Sequence, residues 1–328
     1  MNLKILLYNG CFVLMPCMSN LTNTMLNSAI KDFKEHIGVT KTYTVHTKEG
    51  NIRKFTYKVH SIIGRGTFGL VSEIETKDGP QALKTVYQDN LFCNRELDIL
   101  LDIDHPNIIR LNSYFYTNKT SFGHYLNMSF EFMPFCMQDI VKTKTTPIES
   151  IKFLYRQAVS GLKYLHSLGI CHRDIKPANL LVNSKMVLKI CDFGSAKYMM
   201  DGSENTPYIC SRYYRAPENL LNDSKYTSKI DIWAIALVFC EFKLHEPMFF
   251  GKNTEEMLQL IFEKIPIPAV FLEREDLKKY KRLKPFRFKE YLYSLFGDFG
   301  LADVIYKSLK IHSKERISAR EILKLGVL

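Results

Sequence analysis

The stretch Cys171-His172-Arg173-Asp174-Ile175-Lys176-Pro177-Ala178-Asn179 follows a patterned helix, and Asp192-Phe193-Gly194 lies 18 residues beyond Asp174. Two carboxylates, an amide and a lysine thus fall in two short loops. Hard oxygen donors such as Asp192 and Asn179 suit Mg²⁺. A second carboxylate, Asp174, suits an attacking hydroxyl, and Lys176 suits a departing phosphate. Read only as turns and caps, the set would leave the upstream pattern unexplained.

That pattern begins at Ile63-Gly64-Arg65-Gly66-Thr67-Phe68-Gly69-Leu70-Val71. Glycines at 64, 66 and 69 let a backbone close over phosphates without Cβ clashes. The spacing alone is weak, but here it joins two strands rather than opening a helix, which disfavours a Rossmann site. Val71 is placed to cap an adenine face. Gln81-Ala82-Leu83-Lys84 follows on the next strand. A strand lysine is ordinarily a solvated charge, yet Arg95-Glu96 follows on a predicted helix. A buried Lys84–Glu96 pair would hold the lysine against the α- and β-phosphates of ATP.

Period-two patterning runs from Thr40 to Val86, with a turn at Lys48-Glu49-Gly50-Asn51 and strands over 55–63, 70–76 and 81–86. Asp78-Gly79 supplies a hairpin turn. A helix is expected over 91–103 and two more strands over 107–116 and 124–132. Past Pro134 the texture is helical. Thr146-Pro147-Ile148-Glu149 reads as a capping box with Pro at the first helical position. Ile151, Leu154, Ala158, Leu162 and Leu165 then share one face, and Gly169 ends the helix. Residues 228–243 are apolar nearly all round, as a buried central helix would be. Nothing repeats at a fixed period.

The chain has 328 residues, 46% apolar and 24% charged, with 45 basic against 34 acidic side chains and a net charge of +11. Those values describe an ordinary folded chain and exclude a disordered one. The eight cysteines form no CxxC pairs, which argues against a zinc or disulfide framework and suits a reducing compartment. Residues 3–18 resemble a weak signal peptide, but Asn9, Gly10 and Pro16 interrupt a run already too short to span a bilayer. The better reading is a start at Met15 or Met18, or packing of these residues on the folded domain. Residues 19–40 read as a loose polar leader.

Ala216-Pro217-Glu218 and Asp231-Ile232-Trp233 complete a motif set that resembles the eukaryotic protein kinases. More locally, Asn94-Arg95-Glu96-Leu97, Gly169-Ile170-Cys171-His172-Arg173-Asp174, Cys191-Asp192-Phe193-Gly194-Ser195-Ala196-Lys197 and Tyr208-Ile209-Cys210-Ser211-Arg212-Tyr213-Tyr214 resemble the glycogen synthase kinase-3 (shaggy) family of the CMGC group. A MAP kinase is the nearest rival, because Thr206-Pro207-Tyr208 fits Thr-x-Tyr. Ser211-Arg212-Tyr213-Tyr214, where a MAP kinase has Thr-Arg-Trp-Tyr, favours shaggy.

The resemblance implies an α+β, bilobal kinase fold. It assigns an N-terminal extension, partly flexible, to 1–56 and a kinase domain to 57–328, with lobes of about 57–132 and 133–328. It implies an ATP-dependent Ser/Thr kinase with Asp174 as catalytic base, assisted by Lys176 and Asn179, and with Asn179 and Asp192 on Mg²⁺. The ATP site would comprise residues 63–71, Ala82, Lys84, Glu96 and the hinge from Glu131 to Met133. Arg95, Arg173 and Lys197 match the family's three-cation pocket for a phosphate already on the substrate, four residues beyond the acceptor. Tyr208 matches its activation-loop phosphotyrosine. Thr206, once phosphorylated, is the alternative occupant of that pocket, and a pseudokinase scaffold is the rival of different class.

Several positions depart from the family. Ala178 stands where a polar residue is usual, and Phe130 where a smaller gatekeeper is. No Arg-rich leader with an inhibitory serine is visible in 1–50. The segment after Gly251 is short and divergent, which puts the family's scaffold partners in doubt. Residues 278–289 hold seven basic side chains, best read as a solvated face, with nuclear import or an acidic docking partner as the alternative. The expected partners are protein substrates, not a membrane or a specific nucleic acid, in the cytoplasm or nucleus.

Overall fold

A computed structural model describes residues 7–8, 11–12, 37–65, 69–89, 95–117, 123–142, 146–199, 205–206, 209–282 and 286–328. Contacts divide the chain into two compact units. One comprises Met1–Cys93 and Leu111–Phe132, the other Asn94–Arg110 and Met133–Leu328.

In the first unit, β1 (Leu7–Tyr8) and β2 (Cys11–Phe12) form a short antiparallel pair. The remaining strands are β3 (Thr40–Thr47), β4 (Ile52–Arg65), β5 (Gly69–Thr76), β6 (Gly79–Asp89), β7 (Leu111–Thr117) and β8 (Gly123–Glu131). They close into a barrel in the order β3-β4-β5-β6-β8-β7, every pairing antiparallel. Alternation drives it: inward residues Val45, Phe55, Tyr57, Val59, Ile74, Leu83 and Phe115 make one cluster. Tyr43 stacks on Phe115 with ring centroids 4.7 Å apart. Since β3 and the start of β4 precede residue 57, the folded β unit takes in part of the stretch read as an extension.

The hairpin between β5 and β6 is centred one residue earlier than expected. Thr76 pairs with Gly79 around Lys77-Asp78, and Gly79 carries φ +99°. The strand expected from 107 begins instead at Leu111. Residues Asn107 and Ile109 are held by Ile190 in the second unit, Ile109 N–H to Ile190 O and Ile190 N–H to Asn107 O, both 2.9 Å. Pro106, with no N–H, also cannot extend a ladder.

The second unit opens with a helix, Arg95–Asp102, and among its described helices Ile148–Ser167 and Lys229–Leu244 are the longest, with short strands between them. Helix Ile148–Ser167 buries Ile151, Leu154, Ala158, Leu162 and Leu165 as the spacing required. Its start differs from the expected capping box. Pro147 itself takes the N-cap position with ψ 147° and no side-chain cap bond, so Thr146 lies outside the helix. At its other end Gly169 adopts φ +72°. Helix Lys229–Leu244 is buried at every position from Ile230 to Phe242 and forms the centre of the unit. No described helix is long and apolar enough to cross a membrane. Cysteines 136, 171, 191, 210 and 240 are free thiols.

Candidate active site

The loop after β9 (Ile170–Cys171) is fastened to the buried central helix by one carboxylate. Asp231 accepts the backbone N–H of His172 on Oδ2 and that of Arg173 on Oδ1, both at 2.9 Å. His166 Nε2 lies 2.9 Å from Oδ2, and the Cys171 thiol donates to the same oxygen at 3.4 Å. Burial alone would raise the Asp231 pKa, but hydrogen bonding and charge from His166, with help from His172 and the Arg173 N–H, hold it below the ordinary value. The same clamp sustains the left-handed Arg173 backbone, φ +67°. His172 in turn meets Cys191 O at 3.0 Å and sets its ring edgewise on the fully buried Phe193.

Asp174, so positioned, is surrounded by donors. Lys176 Nζ donates to Oδ2 at 2.7 Å, and Asn179 Nδ2 donates to Oδ2 at 3.2 Å and to the Asp174 carbonyl at 2.8 Å. Ser211 donates both its backbone N–H and its hydroxyl to Oδ1, at 3.1 and 3.0 Å. Both Asn179 bonds use its nitrogen, which leaves the amide oxygen for a cation. Asp192 has φ 66° and ψ 78° at the head of the turn Phe193–Ser195. A Cβ on Gly194 would lie 3.5 Å from Asp192 Oδ1 and 3.7 Å from Glu96 Oε2, so both carboxylates flank this glycine. A carboxylate with an amide oxygen is a donor set that suits Mg²⁺ held jointly with phosphate oxygens.

Of the three cations expected around a phosphate, Lys197 contacts the segment at 205–206 directly and Arg173 is tied to it through Tyr226. Arg173 donates to Ser195 O at 2.6 Å and to the Tyr226 hydroxyl at 3.1 Å, and that hydroxyl donates to Thr206 O at 3.1 Å. Lys197 Nζ donates to Asn205 Oδ1 at 2.7 Å. Arg95 is exposed on the first turn of helix Arg95–Asp102, which packs on the Phe193–Ser195 turn.

In the β unit, Lys84 pairs across the sheet with Val71 and Met128, and Ala82 with Glu73 and Phe130. Lys84 is half-buried, while Ile63 is exposed. Gly64 pairs with Val71 and Arg65 with Leu70. Glycine at 69 has a structural cause: a Cβ there would stand 2.6 Å from the Thr85 carbonyl of β6. Glu131 ends β8 opposite Gln81, and Met133 opens the next part of the helical unit, buried. Gly66, Thr67, Phe68 and Tyr208 lie outside the described residues.

Ser211, His166 and Arg316 received no role from the motif reading. Ser211 stands within a quoted motif, so a hydroxyl ahead of Ala216-Pro217-Glu218 was the available signal. Arg316 had none. Its guanidinium meets Glu218 through Nη1–Oε1 at 2.7 Å and Nη2–Oε2 at 2.9 Å, wholly buried.

A closed β barrel, a helical unit, and a loop carboxylate ringed by lysine, amide and hydroxyl define a phosphotransferase of the protein kinase class. The protein kinase domain model matches residues 57–327. The chain is 42% identical over 287 residues to the probable serine/threonine-protein kinase MRK1 homolog of Encephalitozoon cuniculi, covering 85% of this chain and 89% of that one. It is 38% identical to glycogen synthase kinase 1 of Pyricularia oryzae, over 82% and 72% of the two chains. It is 35% identical to protein kinase gsk3 of Schizosaccharomyces pombe, over 84% and 74%. The chain belongs to the protein kinase family, as a Ser/Thr kinase of the glycogen synthase kinase-3 type.

Proposed function

We propose that this kinase transfers the γ-phosphate of ATP to Ser or Thr of proteins already phosphorylated four residues downstream. The observation that carries the transfer step is the single carboxylate of Asp174 with Lys176, Asn179 and Ser211 on its two oxygens. Asp174 orients the substrate hydroxyl and takes its proton late. Lys176 shares that carboxylate and offers positive charge where the transferred group passes. Asp192 and the Asn179 amide oxygen would hold Mg²⁺, and Lys84 together with the glycine-loop amides would position the phosphates. Bound Mg·ATP supplies the phosphoryl group and the metal charge. Tyr208 is read as the activation-loop phosphotyrosine. Purified protein with Mg²⁺ and labelled ATP should label peptides well above an Asp174→Asn control. Equal labelling by the two would end this reading.

The preference for a primed substrate is supported by Lys197 at Asn205 and by Arg173, tied to Thr206 through Tyr226. A phosphate bound beside this segment would gain charge-assisted hydrogen bonds from both side chains. Arg95→Ala should lose most of the preference for a Ser-x-x-x-phosphoSer peptide over its unprimed form. Phosphate on Thr206 is the rival occupant, because Tyr226 ties its carbonyl to Arg173. Equal rates on both peptides with the unmutated enzyme, together with stoichiometric phosphate on Thr206, would give the pocket to Thr206.

A further inference from the structure

We infer that Tyr198 is a positioning residue: its hydroxyl, bonded to Asp102, holds helix Arg95–Asp102 so that Glu96 stays beside Asp192 for phosphoryl transfer. The inference rests on the kinase reading above and adds to it a pair of residues outside the motifs.

The Tyr198 hydroxyl donates to Asp102 Oδ2 at 2.6 Å, across 96 residues of chain. Tyr198 is itself fastened in place. It ends the strand Lys197–Tyr198, in which Tyr198 pairs with Ile170 and Lys197 with Cys171. The N–H of Met199 then donates to the Gly169 carbonyl at 2.7 Å. The strand so paired runs directly into His172, Arg173 and Asp174. Partial burial, and then the carboxylates of Asp102 and Asp98, push the Tyr198 phenol up to about 12, so at neutral pH it is a donor.

Asp102 is out of place on its own helix. It is the last residue of Arg95–Asp102, whose final turn contains no basic side chain. A helix C-terminus carries partial negative charge and disfavours a carboxylate there. The Tyr198 hydroxyl supplies the donor that this helix end lacks. The helix has 8 residues, so at about 1.5 Å per residue its two ends move together. Its first turn carries the buried Glu96. A Cβ on Gly194 would lie 3.7 Å from Glu96 Oε2 and 3.5 Å from Asp192 Oδ1. One end of the helix is thus tied to the strand pair that leads to Asp174, and the other stands at Asp192. A displacement of about 1 Å in a catalytic group can cost about 100-fold in rate, so partial loosening of this tie is measurable.

The test uses the full chain with Mg·ATP and a peptide substrate. Tyr198→Phe keeps the ring and removes only the hydroxyl. It should lower kcat roughly 3- to 10-fold with the peptide KM unchanged. Because the bond lies at the surface, the melting temperature should stay within about 2 °C. Asp102→Ala should show the same fall, whereas Asp102→Asn, which retains an acceptor oxygen, should recover most of it. The double variant Tyr198→Phe with Asp102→Ala should lose no more than either alone, as one shared contact requires. In nucleotide-free protein, amide hydrogen exchange should quicken over 95–102 in Tyr198→Phe and stay unchanged over 148–167. A normal kcat in Tyr198→Phe, or losses that multiply in the double variant, would overturn the inference while leaving the kinase reading intact. No labelling by the unmutated enzyme above the Asp174→Asn control would overturn both.

Discussion

Ser211 places two hydrogen bonds, one from its backbone and one from its hydroxyl, on the same oxygen of Asp174. The opposite oxygen takes Lys176 and Asn179. The carboxylate is thereby fixed in rotation by groups from two separate segments. A hydrogen bond to a charged group is worth about 1.5–3 kcal/mol. Ser211→Ala removes the hydroxyl bond and keeps the backbone one. It should lower kcat roughly 10-fold or more with little change in KM for ATP, and Ser211→Thr should recover most of the loss. An alanine variant with normal kcat would free Asp174 from this dependence.

The buried Glu218–Arg316 pair anchors the segment that carries Ser211. Arg316 also donates to the Lys229 carbonyl at 2.8 Å and to the Lys310 carbonyl at 3.1 Å, and its guanidinium lies 5.2 Å from the Trp233 ring centroid. Arg316→Ala leaves a carboxylate buried without its cation and should cost about 3–5 kcal/mol in urea unfolding. Arg316→Lys should recover only part, since an ammonium cannot match the two-point geometry. Full recovery by lysine would show that charge alone matters there.

Asp231 predicts a pH dependence. Its folded carboxyl holds a proton less tightly than the unfolded one. The contribution is thus complete above the ordinary aspartate value of about 3.9 and drains away as pH falls below it. Unfolding free energy should decline as the solution is acidified through that range. Asp231→Asn should be less stable at neutral pH and show a shallower decline on acidification. Parallel curves for the two proteins, measured by denaturant titration at a series of pH values, would assign the acid sensitivity elsewhere.

Gly69→Ala tests whether this loop glycine serves the barrel as well as phosphate. The added carbon would meet the Thr85 carbonyl at 2.6 Å, whereas one on Gly64 would meet nothing closer than the Val71 Cβ at 3.4 Å. Overpacking of this kind costs about 1–3 kcal/mol. In nucleotide-free protein, Gly69→Ala should lower the melting temperature by several degrees and Gly64→Ala by much less. Equal shifts would place the requirement for Gly69 in nucleotide binding alone.

Local chemistry explains how far the residue order alone carried. The loops at 171–179 and 192–194, the glycine loop, the face of helix 148–167 and the apolar helix at 229–244 were legible because each is a short-range pattern. Their meaning lies in spacings of two to nine residues, or in a helical or strand period. Tertiary structure decided what those patterns are fastened to. Asp231 reaches back about 60 residues to hold His172 and Arg173. Ser211 crosses 37 residues to Asp174, and Arg316 crosses 98 to Glu218. The closure of the barrel by Thr40–Thr47 and the capture of Asn107 and Ile109 by Ile190 are of the same kind. A buried carboxylate or a backbone carbonyl accepts any donor that packing delivers, so its partner is set by the fold and leaves no periodic trace in the chain.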